Sequence, residues 1–287
     1  SGKEFGDYLS LLTNHFQLNI EENQMVYSVE KSEGKFTLET DSDTWTCDAL
    51  IWATGEFNFP KVESLKGSQF GLSNRFISSY KEIENGEHIV IGGGESGLDA
   101  AYHLSNNGSQ VTVLLQGQLR DFAKDPSNTI SPYTFERIQQ AVSLGRIKFV
   151  ENVKVTEIKK EDDTYRLHLQ NGHVLTNAYQ PILATGFDSG VKQIKDMFEW
   201  KSNGKPIISE EADESTLIKN LFIAGPSVEH GNSVFCFIYK FRARYAVVIN
   251  YLFNKWNISI DESVMNDYKE NQMYLDDLSC CEVDCEC

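Results

Sequence analysis

A glycine-rich turn between an apolar run and a helical pattern constrains this chain more than any other feature. Residues 88–91 read as a short buried strand, and the pattern Gly-x-Gly-x-x-Gly follows at Gly92, Gly94 and Gly97. A helix with small inner-face residues and a second strand at 110–115 complete the unit. The first glycine permits a tight turn, the second lets a pyrophosphate approach the backbone, and the third lets the helix pack closely on the sheet. The sequence therefore predicts a dinucleotide-binding βαβ unit, with an ordinary βαβ unit as the alternative.

The residues around this turn indicate which dinucleotide binds. The helix starts near Ser96, with Glu95 before it, so its free amides and positive dipole end face the phosphates. A carboxylate at the tip of the second strand would hold the ribose 2′-OH of NAD. The tip here is Gln116 with Arg120 nearby, which suits a 2′-phosphate better. These residues predict NADPH, although Arg120 is equally well explained as a solvated surface charge.

Charge and hydropathy exclude several classes of partner. The 287 residues include 26 Lys and Arg against 42 Asp and Glu, for a net charge of −16. Nucleic acids and anionic membranes bind basic patches, so neither is an expected partner. The longest apolar run, from Tyr245 to Phe253, is too short to span a bilayer. No signal peptide is visible, but residue 1 is serine, so that absence carries little weight. The six cysteines are unevenly placed, whereas a secreted disulfide framework would spread them along the chain, and this predicts a cytoplasmic protein.

The remaining chain repeats one arrangement twice around the glycine motif. A helix over 4–16 is followed by alternating strands at Met25–Val29, Lys35–Glu39 and Thr44–Cys47, and by a buried strand over 49–55. After the motif, a second set of strands leads to another buried strand over 180–186. A third buried strand spans Leu221–Gly225. A long helix from Ser233 to Leu252 closes the predicted fold, and its predicted inward residues are Val234, Cys236, Ile238, Phe241, Tyr245, Val248 and Leu252.

All three buried strands end in a similar short motif. They end in Ala53-Thr54-Gly55, in Ala184-Thr185-Gly186 and in Gly225. A glycine at the end of a buried parallel strand lets a ligand contact the backbone. One such strand end is often a packing accident, but three beside a dinucleotide motif predict a bound flat cofactor.

These motifs together resemble the two-dinucleotide-binding-domain flavoproteins, in particular the flavin-containing monooxygenase-like proteins. The markers are Ala53 to Gly55 followed by Pro60, the glycine motif, Ala184 to Phe187, and Leu221 to Gly225. The resemblance implies an α/β fold with two Rossmann-like domains, FAD and NADPH as cofactors, and a hydride passed from nicotinamide to flavin. It also implies a small-molecule substrate or O2 as the electron acceptor. The C-terminal sequence resembles a narrower subgroup associated with CzcD-type cation efflux.

The resemblance also implies how the chain divides. It implies a partial FAD domain over 1–80, an NADPH-binding domain over 81–186, a return to the FAD domain over 187–260, and an acidic cysteine-rich tail over 261–287. The family opens with a further βαβ unit for FAD, which has no counterpart before the first helix. We therefore expect an incomplete FAD domain and an N-terminally truncated chain.

Two further departures concern the chemistry of the site. The monooxygenase fingerprint places a histidine where this chain has Phe76, which makes oxygenase chemistry less secure than NADPH–flavin chemistry. The last strand of the family normally ends in Gly-Asp, whereas this chain has Gly225-Pro226-Ser227. Ser227 or a backbone group would then have to hold the flavin ribityl chain.

No residue stands out as a dedicated catalytic acid or base. His230 follows the third strand end and either donates to flavin or substrate or lies in a surface turn, the latter being favoured. On the closing helix, Lys240, Arg242 and Arg244 either contact phosphates or flavin or are solvated charges.

The last eight residues carry a group of thiols. Cys280, Cys281, Cys285 and Cys287 could ligate a soft cation such as Zn²⁺ or Cu⁺, or the vicinal pair could shuttle a disulfide. A disordered acidic tail with incidental thiols is the alternative. No Cys-x-x-Cys accompanies the nicotinamide motif, which disfavours thioredoxin reductase-like exchange at the flavin. A metal-handling accessory protein of cation efflux is thus the second functional hypothesis, and a homodimer is left open.

Overall fold

The computed structural model describes residues 2–62, 65–119, 130–231, 233–235 and 237–278. The chain divides into two compact units, Ser1–Leu50 and Ile51–Cys287. The domain boundaries expected from the sequence follow a different division and stay predictions. None of the helices in the described part of the chain is both long enough and apolar enough to cross a bilayer.

The first unit is one helix followed by an antiparallel meander. Helix α1 (Gly2–His15) precedes strands β1 (Val26–Ser32), β2 (Lys35–Thr40) and β3 (Thr44–Cys47), which form a sheet in the order β1-β2-β3. Alternating apolar and polar residues give these strands their period of two, and the predicted helix and strands are confirmed to within a few residues.

The second unit contains the remaining strands and helices. In chain order its strands are β4 (Leu50–Trp52), at which the unit begins, β5 (Leu72–Ser73), β6 (Glu87–Ile91), β7 (Gln110–Leu114), β8 (Ile147–Val150), β9 (Val155–Glu161), β10 (Thr164–Leu169), β11 (Val174–Asn177), β12 (Ile182–Leu183), β13 (Glu199–Trp200), β14 (Pro206–Ile207), β15 (Leu221–Ile223), β16 (Glu229–His230) and β17 (Ser233–Val234). Its α-helices are α2 (Glu95–Asn106), α3 (Pro132–Ser143), α4 (Ile238–Lys255) and α5 (Glu262–Glu270).

A five-stranded parallel sheet, in the order β5-β12-β6-β7-β8, forms the centre of this unit. Side chains alternate across it, so Val90 of β6 packs with α2 and α3 on one face while Ile89 and Ile91 pack with β9 and β10 on the other. The antiparallel sheet β11-β10-β9 therefore covers the face that the helices leave open. Strands β4 and β15 pair separately, and β13 with β14 and β16 with β17 form two short ladders.

The closing helix differs from its prediction in both its start and its buried face. Ser233 and Val234 belong to β17, and α4 begins only at Ile238. Ile238 is 54% exposed and Tyr245 is 42% exposed, so their predicted inward positions are wrong, whereas Val248 and Leu252 are buried as predicted. The buried face is turned towards Ala243, Arg244 and Val247. The sequence pattern missed this rotation because it counts arginine as a solvent-facing residue.

Candidate cofactor site

The predicted βαβ unit is present, and two of its glycines are required by packing. Gly92 leaves β6 with φ +114° while its amide still donates to the carbonyl of Leu114 at 3.0 Å. A Cβ on Gly92 would lie 2.1 Å from the carbonyl oxygen of Ala184, and one on Gly97 would lie 1.9 Å from the carbonyl oxygen of Gly92. Side chains at these two positions would push α2 away from the sheet.

Gly94 has a different environment, and it is the one that concerns a ligand. It is the N-cap residue of α2 in an extended conformation, and a Cβ built on it would meet no atom of the described residues within 4 Å beyond its chain neighbours. The first turn of a helix has amides without intrahelical acceptors and carries a partial positive charge. Open space in front of such a helix end fits the diphosphate of a dinucleotide.

The other predicted nucleotide residues lie around this helix end. The carboxylate of Glu95 accepts a hydrogen bond of 2.6 Å from the amide of Ser131, the N-cap residue of α3. Ser96 is in the first turn of α2 and Gln116 is exposed beyond the end of β7. Arg120 lies outside the described residues. The contacts of all four with a nucleotide stay predictions.

The three predicted strand ends share one backbone feature. Gly55, Gly186 and Gly225 have φ values of +64°, +87° and +109°, and in the part of the chain that the structure describes a Cβ on any of them would meet nothing within 4 Å except its chain neighbours. Left-handed conformations favour glycine, and the missing side chains leave the backbone accessible. These positions fit the approach of a large planar cofactor, and the predicted contacts of Ala53, Thr54, Ala184 and Thr185 beside them remain untested.

One short segment, residues 184–190, connects these strand ends to the nucleotide turn, and we call it the crossing segment. At its start, the amide of Ala184 donates to the carbonyl of Ile91 at 2.9 Å, which continues the parallel sheet. In its middle, the carbonyl of Gly186 accepts from the amide of Lys61 at 2.9 Å, and the hydroxyl of Thr185 donates to the carbonyl of Lys61.

The end of this crossing segment reaches the other two strand ends. The amide of Gly190 donates to the carbonyl of Gly55 at 2.8 Å, and the Trp52 indole donates to the carbonyl of Gly190 at 3.0 Å. The hydroxyls of Ser189 and Ser227 are 2.6 Å apart. Ser227 is thus buried and hydrogen-bonded within the protein, and its predicted contact with a ribityl chain stays a prediction.

Sequence reasoning missed one carboxyl group at this junction. Glu56 directly follows Gly55 and is half-buried. Burial raises the pKa of its carboxyl group, while the positive charges of Lys205 and Lys61 oppose that rise. The signal available in the sequence was the position of this carboxylate directly after an Ala-Thr-Gly strand end.

His230 and Arg244 have partners that neither sequence interpretation foresaw. Both are buried against Asp213: the imidazole Nε2 lies 2.6 Å and the guanidinium Nη2 lies 2.7 Å from Asp213 Oδ1. Arg244 also donates to the carbonyls of Glu210 and Leu275. The expectation of a surface histidine is therefore wrong, and so is that of a solvated or phosphate-binding Arg244, because the buried Asp213 carboxylate requires both partners.

The thiol site predicted in the tail cannot be compared with the structure. Cys280, Cys281, Cys285 and Cys287 lie outside the described residues, and so does Cys236. Cys47 is half-buried in β3, and burial raises the pKa of its thiol.

The sequence matches one family over most of its length. A family model described as "Pyridine nucleotide-disulphide oxidoreductase" matches residues 1–225. The chain is 27% identical over 210 residues to Bacilliredoxin reductase Bdr of Bacillus subtilis, which is 71% of this chain and 61% of that protein. It is 37% identical over 123 residues to Senecionine N-oxygenase of Tyria jacobaeae, which is 39% of this chain and 27% of that protein. The chain therefore spans less than two thirds of these relatives.

Solved structures show the same fold. Bacillithiol Disulfide Reductase Bdr from Staphylococcus aureus has a TM-score of 0.73 at 23% identity, over 88% of this chain and 77% of that chain. Thioredoxin reductase from T. acidophilum has a TM-score of 0.68 at 20% identity, over 88% and 81%. The predicted α/β fold with Rossmann-like dinucleotide-binding domains is confirmed.

Proposed function

Because the chain belongs to the pyridine nucleotide-disulphide oxidoreductase family, whose members are flavoproteins that bind FAD and use NAD(P)H, we propose that it passes a hydride from NADPH to FAD. The reduced flavin then passes its electrons to a second substrate, a small molecule or O2. The flavin supplies the redox chemistry, and the residues of this chain hold the two cofactors against each other.

The observation that carries this proposal is the open corner at Gly94. Gly92 and Gly97 are explained by packing within the protein, whereas at Gly94 no atom of the described residues, apart from its chain neighbours, lies within 4 Å of the position that a Cβ would take. Space at a helix N-terminus of a glycine-rich βαβ turn is what a diphosphate needs. The open positions at Gly55, Gly186 and Gly225 support the second cofactor in the same way.

The proposal is tested by filling that space. Gly94→Val places a branched side chain where the diphosphate is expected, so the Kd for NADPH should rise at least about tenfold, a loss of about 1.4 kcal/mol. Binding is measured by calorimetric titration, with the melting temperature as the test of folding. Gly6→Val is the matched control, because Gly6 is also an open, exposed helix position and lies far from the motif in sequence. Equal NADPH affinity in both variants would refute the proposed nucleotide site.

We propose monooxygenase activity as the specific reaction of this oxidoreductase. The sequence markers of the monooxygenase-like family and the similarity to an N-oxygenase support it. The position of Phe76, where the fingerprint has histidine, argues the other way, as does the similarity to Bdr. The full-length, FAD-loaded protein should be given NADPH and O2 with dimethylaniline, or an aromatic disulfide without O2. Formation of the amine N-oxide supports the monooxygenase, whereas NADPH-dependent thiol release in its place identifies a disulfide reductase.

A second candidate function rests on the four cysteines of the tail. We propose that they bind one soft cation, since thiolates favour Zn²⁺ and Cu⁺. Zinc stoichiometry should be compared between the full chain and a chain that ends at Leu278. Loss of one bound zinc on truncation supports this role, and equal stoichiometry excludes it.

A further inference from the structure

We propose that Glu56 is an acid–base residue of the redox site and supplies the proton that the second substrate takes up together with a hydride. The inference rests on the proposed function, because it assigns a role at the same strand ends. It also predicts the chemical class of that substrate, namely a planar, quinone-like acceptor of two electrons.

Glu56 is related to all three strand ends, to one by sequence and to the other two through lysines. The two lysines whose charges act on its carboxylate are each tied to another strand end. Lys205 Nζ donates to the carbonyl of Pro226, next to Gly225, at 3.3 Å. The backbone amide of Lys61 donates to the carbonyl of Gly186 at 2.9 Å. Glu56 therefore follows one strand end and lies in the electrostatic field of groups at the other two.

The bonding of the Glu56 carboxyl group differs from that of the charged groups around it. Within the described part of the chain, this carboxylate has no hydrogen bond and no ion pair, although it is half-buried. The neighbouring carboxylate of Asp188, by contrast, is paired with Lys192 at 2.8 Å and Lys61 at 3.7 Å. The Arg75 guanidinium also has a partner within the protein, since it donates a hydrogen bond to the carbonyl of Asn58. A half-buried carboxyl that serves no structural bond beside a cofactor site is a candidate for proton transfer.

An aromatic pair next to Glu56 indicates the shape of the acceptor. Phe57 follows Glu56 directly and Phe187 follows Gly186, and their ring centroids are 5.6 Å apart at an angle of 33°. Phe57 is 56% exposed, which leaves its ring available to a ligand. Aromatic rings favour contact with other flat rings. A carboxyl beside such a pair suits a flat acceptor whose oxygen must be protonated.

A bound, reduced FAD would supply the hydride, which carries two electrons to the quinone. The Glu56 carboxyl group gives its proton to the quinone oxygen, and a hydroquinone is formed. The Glu56 carboxylate then regains a proton from water.

The kinetic test compares two electron acceptors in the full-length, FAD-loaded protein. Menadione needs a proton with its electrons, whereas ferricyanide takes one electron and no proton. In Glu56→Gln, the ratio of the menadione rate to the ferricyanide rate should fall by roughly 100-fold, the low end for general acid catalysis. The wild-type menadione rate should fall as pH rises through the pKa of Glu56, and this dependence should vanish in the variant. Glu56→Asp should restore part of the ratio.

Glu87→Gln is the control, because Glu87 is exposed at the opposite end of β6 and should leave the ratio unchanged. An unchanged ratio in Glu56→Gln overturns the role of Glu56 while NADPH oxidation continues. Absence of turnover with both acceptors in the wild type overturns the proposed function and the inference together.

A second measurement needs no cofactor. In the chain labelled with ¹³C at its glutamate carboxyls, the resonance that disappears in Glu56→Gln should titrate above the ordinary glutamate pKa of 4.5. Titration at or below that value would contradict the raised pKa of the Glu56 carboxyl group, and the proposed acid role would be wrong.

Discussion

Arg244 is a large, fully buried charged side chain of the second unit. Its guanidinium and the imidazole of His230 together pair the fully buried Asp213 carboxylate. Removing one partner from a buried ionic cluster leaves an uncompensated charge, so Arg244→Met should lower the free energy of unfolding by roughly 3–5 kcal/mol. Arg242→Met, on the exposed face of the same helix, should change it by less than about 0.5 kcal/mol. Urea denaturation measures both, and equal losses would contradict the assignment.

The raised pKa of Tyr80 predicts how the stability of the protein changes at alkaline pH. Burial and the charge of Asp99 raise the pKa of Tyr80 from 10.0 to about 12, and its ring stacks on His103. Between these pH values the folded chain retains a phenol proton that the unfolded chain loses, so stability falls as pH rises through this window. Tyr80→Phe should reduce that fall, as measured by urea denaturation at neutral and alkaline pH. An identical alkaline loss in the variant would show that other groups cause it.

At the scale of elements, the contact between α2 and the sheet depends on Gly97. A methyl group there would lie 1.9 Å from a backbone oxygen that cannot rotate away, whereas one on Gly94 would meet no atom within 4 Å among the described residues, its chain neighbours aside. Gly97→Ala should therefore destabilise the protein by about 1–3 kcal/mol, as overpacked positions do. Gly94→Ala should change stability much less. Thermal unfolding of the two variants provides the comparison, and a larger loss for Gly94→Ala would contradict it.

The elements also show what sequence patterns can and cannot predict. The glycine turn, α2 and β7 follow from local signals, because Gly92 and Gly97 are required by close contacts within the predicted unit and its neighbouring strand. The buried face of α4 was misassigned because Arg244, Asp213 and His230 are distant in sequence and pair only in the folded chain. Glu56 was missed for a related reason: its significance depends on lysines that follow it by 5 and 149 positions along the chain.

At the scale of the whole molecule, the fold class and the family could be predicted from motifs. The spatial arrangement of the three strand ends could not, and it is seen only in the structure. Gly55 lies 131 residues before Gly186, and Gly186 lies 39 residues before Gly225, yet all three strand ends contact the crossing segment or its immediate neighbours. No periodicity within the sequence encodes that arrangement, because it results from strand pairing and loop hydrogen bonds.

The crossing segment, residues 184–190, has a consequence for how such a protein can diverge. Its backbone hydrogen bonds to Ile91, Lys61 and Gly55 hold it at its start, middle and end. These bonds fix the number of residues that the segment can contain. An insertion or deletion there would disturb these backbone hydrogen bonds, whereas the turn between β10 and β11 could lengthen and leave them in place. Family members should therefore vary in loop length around this stretch and keep its length constant.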